Sequence, residues 1–219
     1  LTDTTNTTRK FVFPAGTSIA GNGYLVVFCD SATNSPGLHT RFSLDKKDGF
    51  VALYTKLAAG GGLRDFVSYG LQVTDLSIGR VPDGTGSWVL TASTPEAANQ
   101  AVTLASPFGH LRFNEWMATN SSGSDWIELY NNTTNPVALG GLVFTTEVPP
   151  VAILNPAMTN LSFIAAGDFV RLDCVGDKDA HHADELAFKL SHNTGETVSL
   201  YASDRTNVIE QVSFPGNNT

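Results

Sequence analysis

Across Asp125-Trp126-Ile127-Glu128-Leu129-Tyr130-Asn131 the character of the side chains alternates with a period of two. Ile127 and Leu129 fall on one side and Trp126, Glu128 and Tyr130 on the other, the pattern of a strand with one buried face. The stretch before it, residues 111–118, holds Phe113, Trp116 and Met117 in a less regular alternation. Turn formers separate the two, Thr119-Asn120-Ser121-Ser122-Gly123-Ser124. A second polar run, Asn131-Asn132-Thr133-Thr134-Asn135-Pro136, closes the second strand before another is expected at Leu139-Gly140-Gly141-Leu142.

The first hundred residues read as strand after strand. Lys10-Phe11-Val12-Phe13 stops at Pro14-Ala15-Gly16, and Tyr24-Leu25-Val26-Val27-Phe28 is a nearly continuous apolar run, as in a strand covered on both faces. Phe42-Ser43-Leu44 and Gly49-Phe50-Val51-Ala52-Leu53-Tyr54 flank the polar turn Asp45-Lys46-Lys47-Asp48, and Asp65-Phe66-Val67-Ser68-Tyr69-Gly70 alternates. Trp88-Val89-Leu90 reads as a short final strand or a plug after the turn-rich residues 79–86. No segment sustains helical periodicity.

These strands recur. Phe163-Ile164-Ala165-Ala166-Gly167 and Phe169-Val170-Arg171-Leu172 echo residues 19–23 and Leu25-Val26-Val27-Phe28. Val198-Ser199-Leu200-Tyr201 echoes Val51-Ala52-Leu53-Tyr54, and Val212-Ser213-Phe214 echoes Val67-Ser68-Tyr69. The offset stays near ~145 residues, a domain-sized repeat rather than a solenoid period.

Asn114-Glu115, then residues 125–131, then Val137-Ala138-Leu139-Gly140-Gly141 resemble the opening of a lamin tail domain, an immunoglobulin-like β-sandwich of nuclear lamins and of many secreted or surface bacterial proteins. Gly79-Arg80-Val81-Pro82-Asp83-Gly84, Trp88 and Thr94-Pro95-Glu96-Ala97-Ala98-Asn99 resemble the segment that ends such a domain in the bacterial branch. The resemblance implies an all-β chain of two immunoglobulin-like β-sandwich domains in tandem, residues 1–104 and 105–219. The first copy is expected to lack its opening strands and the second its closing segment. Core positions are expected at Trp126, Ile127 and Leu129 in the second copy and at Leu25, Val27 and Phe50 or Val51 in the first. A sandwich without two of its strands exposes unpaired edges. Completion by strand addition, from another chain or from flanking sequence, is therefore expected, and a head-to-tail contact of that kind that does not close builds a filament.

Composition narrows the function classes. Of 219 residues, 42% are hydrophobic, enough for packed cores, and the net charge of -8 with 13 Lys plus Arg offers no basic footprint for nucleic acid. No apolar run reaches the length of about eighteen residues that a membrane-spanning helix needs. Loops crowded with Thr, Asn, Ser and Gly suit an extracellular or cell-surface β-protein. Cys29 and Cys174 occupy equivalent places in the two copies, normally far apart, whereas a disulfide needs Cα atoms within roughly 7 Å. Two unpaired thiols are expected.

Candidate chemistry is sparse. Asp177, Asp179, His181, His182, Asp184 and Glu185 form the densest group of possible metal ligands, but the glycine and final glutamate of an EF-hand loop are missing and adjacent histidines point opposite ways in an extended chain. A solvated loop is the simpler reading, so no metal, cofactor or catalytic residue is assigned. Gly60-Gly61-Gly62 lacks the ending of a phosphate loop, and Glu115 and Glu128 read as hydrogen-bonded strand carboxylates. Asn6, Asn120, Asn131, Asn132, Asn160 and Asn217 fit the N-glycosylation acceptor pattern, with ordinary turn asparagines as the simpler reading.

The expected function is a non-catalytic structural or adhesion module of an extracellular protein, with a filament subunit joined by strand complementation among its forms. The alternative is a carbohydrate- or protein-binding accessory domain of a secreted hydrolase, with Tyr24, Trp116 or Tyr130 as glycan platform. Expected partners are copies of itself or flanking domains, and a glycan; nucleic acid and a membrane span are not expected.

Overall fold

The computed structural model describes residues 1–32, 34–118, 123–150, 155–176 and 180–216. They form an all-β chain with a single 3-10 turn at Leu57–Ala59. In order, the strands are β1 (Val27–Phe28), β2 (Leu38–His39), β3 (Gly49–Tyr54), β4 (Leu63–Tyr69), β5 (Leu76–Val81), β6 (Ser87–Ala92), β7 (Leu111–Met117) and β8 (Asp125–Asn131). They continue as β9 (Val137–Ala138), β10 (Val143–Thr145), β11 (Phe163–Ile164), β12 (Phe169–Cys174), β13 (Glu185–Leu186), β14 (Gly195–Tyr201) and β15 (Val208–Pro215). The chain divides into two compact units, one of Leu1–Tyr69 with Asp75–Val102, the other of Gly70–Thr74 with Thr103–Thr219.

The second unit is sandwich-like. One sheet has the order β13-β12-β8-β7, a second the order β10-β14-β15, and β9 pairs with β11. Between the two larger sheets lies one apolar cluster that takes Leu111, Ile127, Leu129 and Leu172 from the first and Phe144, Val198, Leu200 and Ile209 from the second. Each buried Leu or Ile contributes about 1.5–3 kcal/mol relative to exposure. Ion pairing and stacking close one margin: Arg112 of β7 meets Glu210 of β15 at 2.6 Å, and the rings of Trp116 and Phe214 stack at 5.6 Å. A short piece from far upstream completes this core. Leu71 is buried in it, its N–H donating to Ser162 Oγ and its carbonyl accepting from Phe163 N–H.

The alternation in β8 holds residue by residue, with Ile127, Leu129 and Asn131 inward. Trp126 is not a core residue. Period two sends it to the outer face, where the guanidinium of Arg171 lies 5.4 Å from its ring centre. Nor does a strand begin at Leu139: β9 ends at Ala138, Leu142 N–H bonds back to Leu139, and Gly141 takes φ +85°, so the two glycines turn the chain before β10.

In the first unit the sheets are two-stranded: β1 with β2 in parallel, β3 with β4, and β5 with β6. Lys10-Phe11-Val12-Phe13 and Phe42-Ser43-Leu44 form no strands. Its β5–β6 hairpin owes its shape to Asn99, which donates from its backbone to Asp83 and from its side chain to the Arg80 carbonyl. A Cβ on Gly79 would lie 2.7 Å from the Asn99 side chain, which is why the glycine stands there. The expected core of this unit is only half-buried: Leu25, Val27, Phe50 and Val51 all keep solvent contact, and Phe42, Ala52, Tyr69 and Leu90 are its buried hydrophobics.

The repeat extends to the backbone. Val51 opposes Val67 as Val198 opposes Val212, Leu53 opposes Asp65 as Leu200 opposes Glu210, and both ladders shift register at the same Leu-Tyr step. Phe28 opposes His39 as Asp173 opposes Glu185, again in parallel. Asn22 (φ +57°) and Gly167 (φ +62°) occupy the same turn, closed by Gly23 N–H to Ala20 and by Asp168 N–H to Ala165. Thr2 bridges Ala52 as Thr145 pairs with Ser199. Both threonines are fully buried and donate to the carbonyl two residues on while accepting its N–H. Residues 1–69 of the first unit thus correspond to β10 through β15 of the second.

Candidate functional site: an uncovered strand edge

The correspondence exposes a difference. In the second unit β12 is paired on both sides, with β13 along one edge and with β8 along the other from Phe169↔Tyr130 to Cys174↔Asp125. Its counterpart is the run from Tyr24 to Cys29, of which Val27–Phe28 forms β1. That run is paired only with β2; among the described residues no strand lies along its other edge. The carbonyls of Phe28 and Asp30 accept from Thr40 and Arg41 on the β2 side. Backbone groups alternate in direction along a strand, so those of Leu25, Val27 and Cys29 point to the unpaired edge.

The same gap appears in the side chains. Ile164 pairs through β11 with Val137 of β9 and is 1% exposed, whereas Ile19, its counterpart, is 57% exposed. Tyr24 and Phe28 are also exposed, on the face opposite Leu25 and Val27. Exposed apolar residues beside an unpaired strand edge offer a template on which a further strand can pair.

The edge has a defined polar surround. Tyr24 donates its hydroxyl to Asp83, which raises the phenol pKa and, through the same hydrogen bond, lowers that of the carboxyl. Asp83 lies in the turn between β5 and β6, and Arg80 of β5 pairs with Asp65 of β4 at 2.7 Å, while neither strand of that hairpin pairs with β1. At the other end His39 Nδ1 lies 2.6 Å from Asp30 and its ring stacks on Phe28 at 5.1 Å. Bonding to Asp30 raises the His39 pKa, and bonding to His39 lowers that of Asp30. Burial pushes both thiols up, Cys174 more than Cys29; both are free.

The other candidates are scattered. Asp177, Asp179, Asn120 and Asn217 lie outside the described residues. Glu185 accepts from the N–H groups of His181 and His182, which caps that loop and lowers the carboxyl pKa. Glu128 accepts from Asn114 Nδ2 and stands opposite Glu115 on the outer face of the four-stranded sheet. Asn6, Asn132 and Asn160 are exposed. Asn131 is fully buried, its Nδ2 donating to the carbonyls of Asn135 and Ala165, so that nitrogen serves the fold. Of the three aromatic platform candidates, Tyr130 stacks on Phe169 at 4.6 Å, Trp116 on Phe214, and Tyr24 is tethered to Asp83.

Sequence reasoning named Tyr24, Leu25 and Val27 but treated the last two as core. Ile19 differs from its repeat counterpart Ile164 in what covers it, since Ile164 pairs with a strand that lies earlier in the chain, at Val137–Ala138. No protein-family model matches the chain, and a search of curated proteins finds no match.

Proposed function

We propose that this chain is a non-catalytic structural or adhesion module of an extracellular or cell-surface protein, built from two immunoglobulin-like sandwiches of the lamin-tail kind and joined to further copies by strand addition. The observation that carries the reading is the open edge of Tyr24–Cys29 beside an equivalent strand, β12, that is paired on both sides. A repeat that keeps register across four strands while leaving one edge open is suited to assembly, because main-chain groups supply affinity and the alternating apolar side chains supply register. The acidic surface, with a net charge of -8, keeps such copies soluble until strands pair.

Sedimentation of residues 1–219 over a wide concentration range tests the assembly part. Mass that grows with concentration, together with labelling of intact cells by an antibody to the chain, is the expected result. A monodisperse monomer whose Leu25 and Val27 amides are already protected from hydrogen exchange overturns it.

A further inference from the structure

We infer that the second edge of β11 is a peptide-recognition site, filled in cis by the segment Gly70–Thr74 and selective for an extended stretch that reads glycine, aliphatic residue, glutamine. That segment packs in the second unit, while the residues on either side of it, Tyr69 and Asp75, belong to the first. It is a ligand that residues 103–219 do not supply themselves. β9 takes one edge of β11, with Leu139 N–H donating to the Ser162 carbonyl just ahead of the strand. The segment docks along the other, where Phe163 N–H donates to the Leu71 carbonyl at 2.9 Å. Strand addition of this kind takes affinity from main-chain bonds and specificity from the places offered to successive side chains.

Three successive positions are read. At the first only glycine fits: a Cβ on Gly70 would collide with Ser162 Oγ and stand 3.1 Å from the Cβ of Thr159 and 3.2 Å from that of Ala183. Ser162 is fully buried, and its hydroxyl donates to the Thr159 carbonyl while accepting the Leu71 N–H at 3.2 Å. At the second position Leu71 enters the apolar cluster of the second unit and is buried there. At the third, Gln72 Nε2 donates to the Leu161 carbonyl at 3.1 Å and to the Gly70 carbonyl at 2.7 Å, which braces the segment in its docked shape. Leu161, which presents that carbonyl, holds a left-handed φ of +55°, costly for a bulky side chain. A steric floor, an apolar pocket and an acceptor for a side-chain amide thus follow one another along the edge.

The probe is an acetylated and amidated peptide with the sequence of residues 68–75, added to the full 219-residue chain. In the wild-type chain the tethered segment acts at high effective concentration and keeps the peptide out. In a chain carrying Leu71→Ser, which removes the apolar anchor, the peptide is expected to bind and to slow amide exchange at Phe163 by at least about tenfold on saturation. A peptide carrying Gly70→Ala is expected to lose that protection, and one carrying Gln72→Ala to bind several-fold more weakly. If Leu71→Ser unfolds the second unit, the unaltered peptide is expected to restore protection at Leu129 and Leu172, and failure to restore it overturns the inference. A folded Leu71→Ser chain with no peptide-dependent protection at Phe163 overturns it, as does a Gly70→Ala peptide that binds as well as its parent. So do equal protection of the wild-type and variant chains, and slowed exchange at Leu25 and Val27 in place of Phe163. The residues of this site are not those of the open edge at Tyr24–Cys29, so the outcome does not depend on whether the chain self-assembles.

Discussion

Ile19 and Ile164 hold the same position in the two repeats, yet one is 57% exposed and the other 1%. What separates them is the β9 strand, which lies against Ile164 and has no counterpart against Ile19 among the described residues. Truncating Ile164 to alanine is expected to cost about 2–5 kcal/mol by leaving a cavity, and truncating Ile19 less than about 0.5 kcal/mol. Urea unfolding of the two variants, followed by signals assigned to each unit, checks the contrast.

Asn131 is buried, with its amide satisfied on both sides. Replacement by alanine leaves the Asn135 and Ala165 carbonyls without that donor, a loss of about 1–3 kcal/mol. Asn132, one residue on and exposed, is expected to tolerate the same change within about 0.5 kcal/mol. Thermal unfolding of both variants, monitored at Trp126, distinguishes them.

Leu71 belongs to the core of the second unit although it lies more than thirty residues upstream of the rest of that unit. Leu71→Ala is expected to destabilise the second unit by about 2–3 kcal/mol and to leave the first unchanged. A fragment of residues 103–219 lacks the side chain and its hydrogen bonds to Ser162 and Phe163, and is expected to show the larger loss. Hydrogen exchange at Leu129 and Leu172 reads out both.

The His39–Asp30 pair makes the margin of the open edge sensitive to pH. The folded-state pKa of His39 is raised above its ordinary 6.5, so its contribution is complete below that value and is lost as pH rises through the folded one. That of Asp30 is lowered from 3.8, so its contribution is complete above 3.8 and is lost as pH falls through the folded one. The pair therefore stabilises the β1–β2 connection most between these two ordinary values. His39→Gln is expected to remove the alkaline limb, measured as the first unit's melting temperature against pH, and to leave the acid behaviour of the second unit untouched.

Much of this fold was legible in the chain itself. Period-two alternation located β8 and β4, because a strand between a core and solvent must alternate, and the recurrence of apolar runs such as Val-x-Leu-Tyr and Val-Ser-aromatic located β12, β14 and the repeat. The core position expected for Trp126 ran against that same alternation, which sets it on the face opposite Ile127 and Leu129. The glycines at 140 and 141 were read into a strand although the chain turns there, with Gly141 at a left-handed φ of +85°. At the site, Tyr24–Phe28 was recognisable as a strand, but a continuous apolar run reads the same whether or not something covers it.

Local side-chain pattern, then, determined most of the longer strands, the inward face of β8 and the order in which the runs recur, since each depends only on neighbours a few residues apart. Tertiary structure decided which edges found partners. Pairing of β8 with β12 joins residues some forty apart, and the burial of Leu71 against Ser162 joins residues some ninety apart. Such contacts are set by which backbone groups remain free once the nearer strands have paired. The edge at Leu25 and Val27 is such a set of donors and acceptors, with no strand along it among the described residues once β2 has taken the other side.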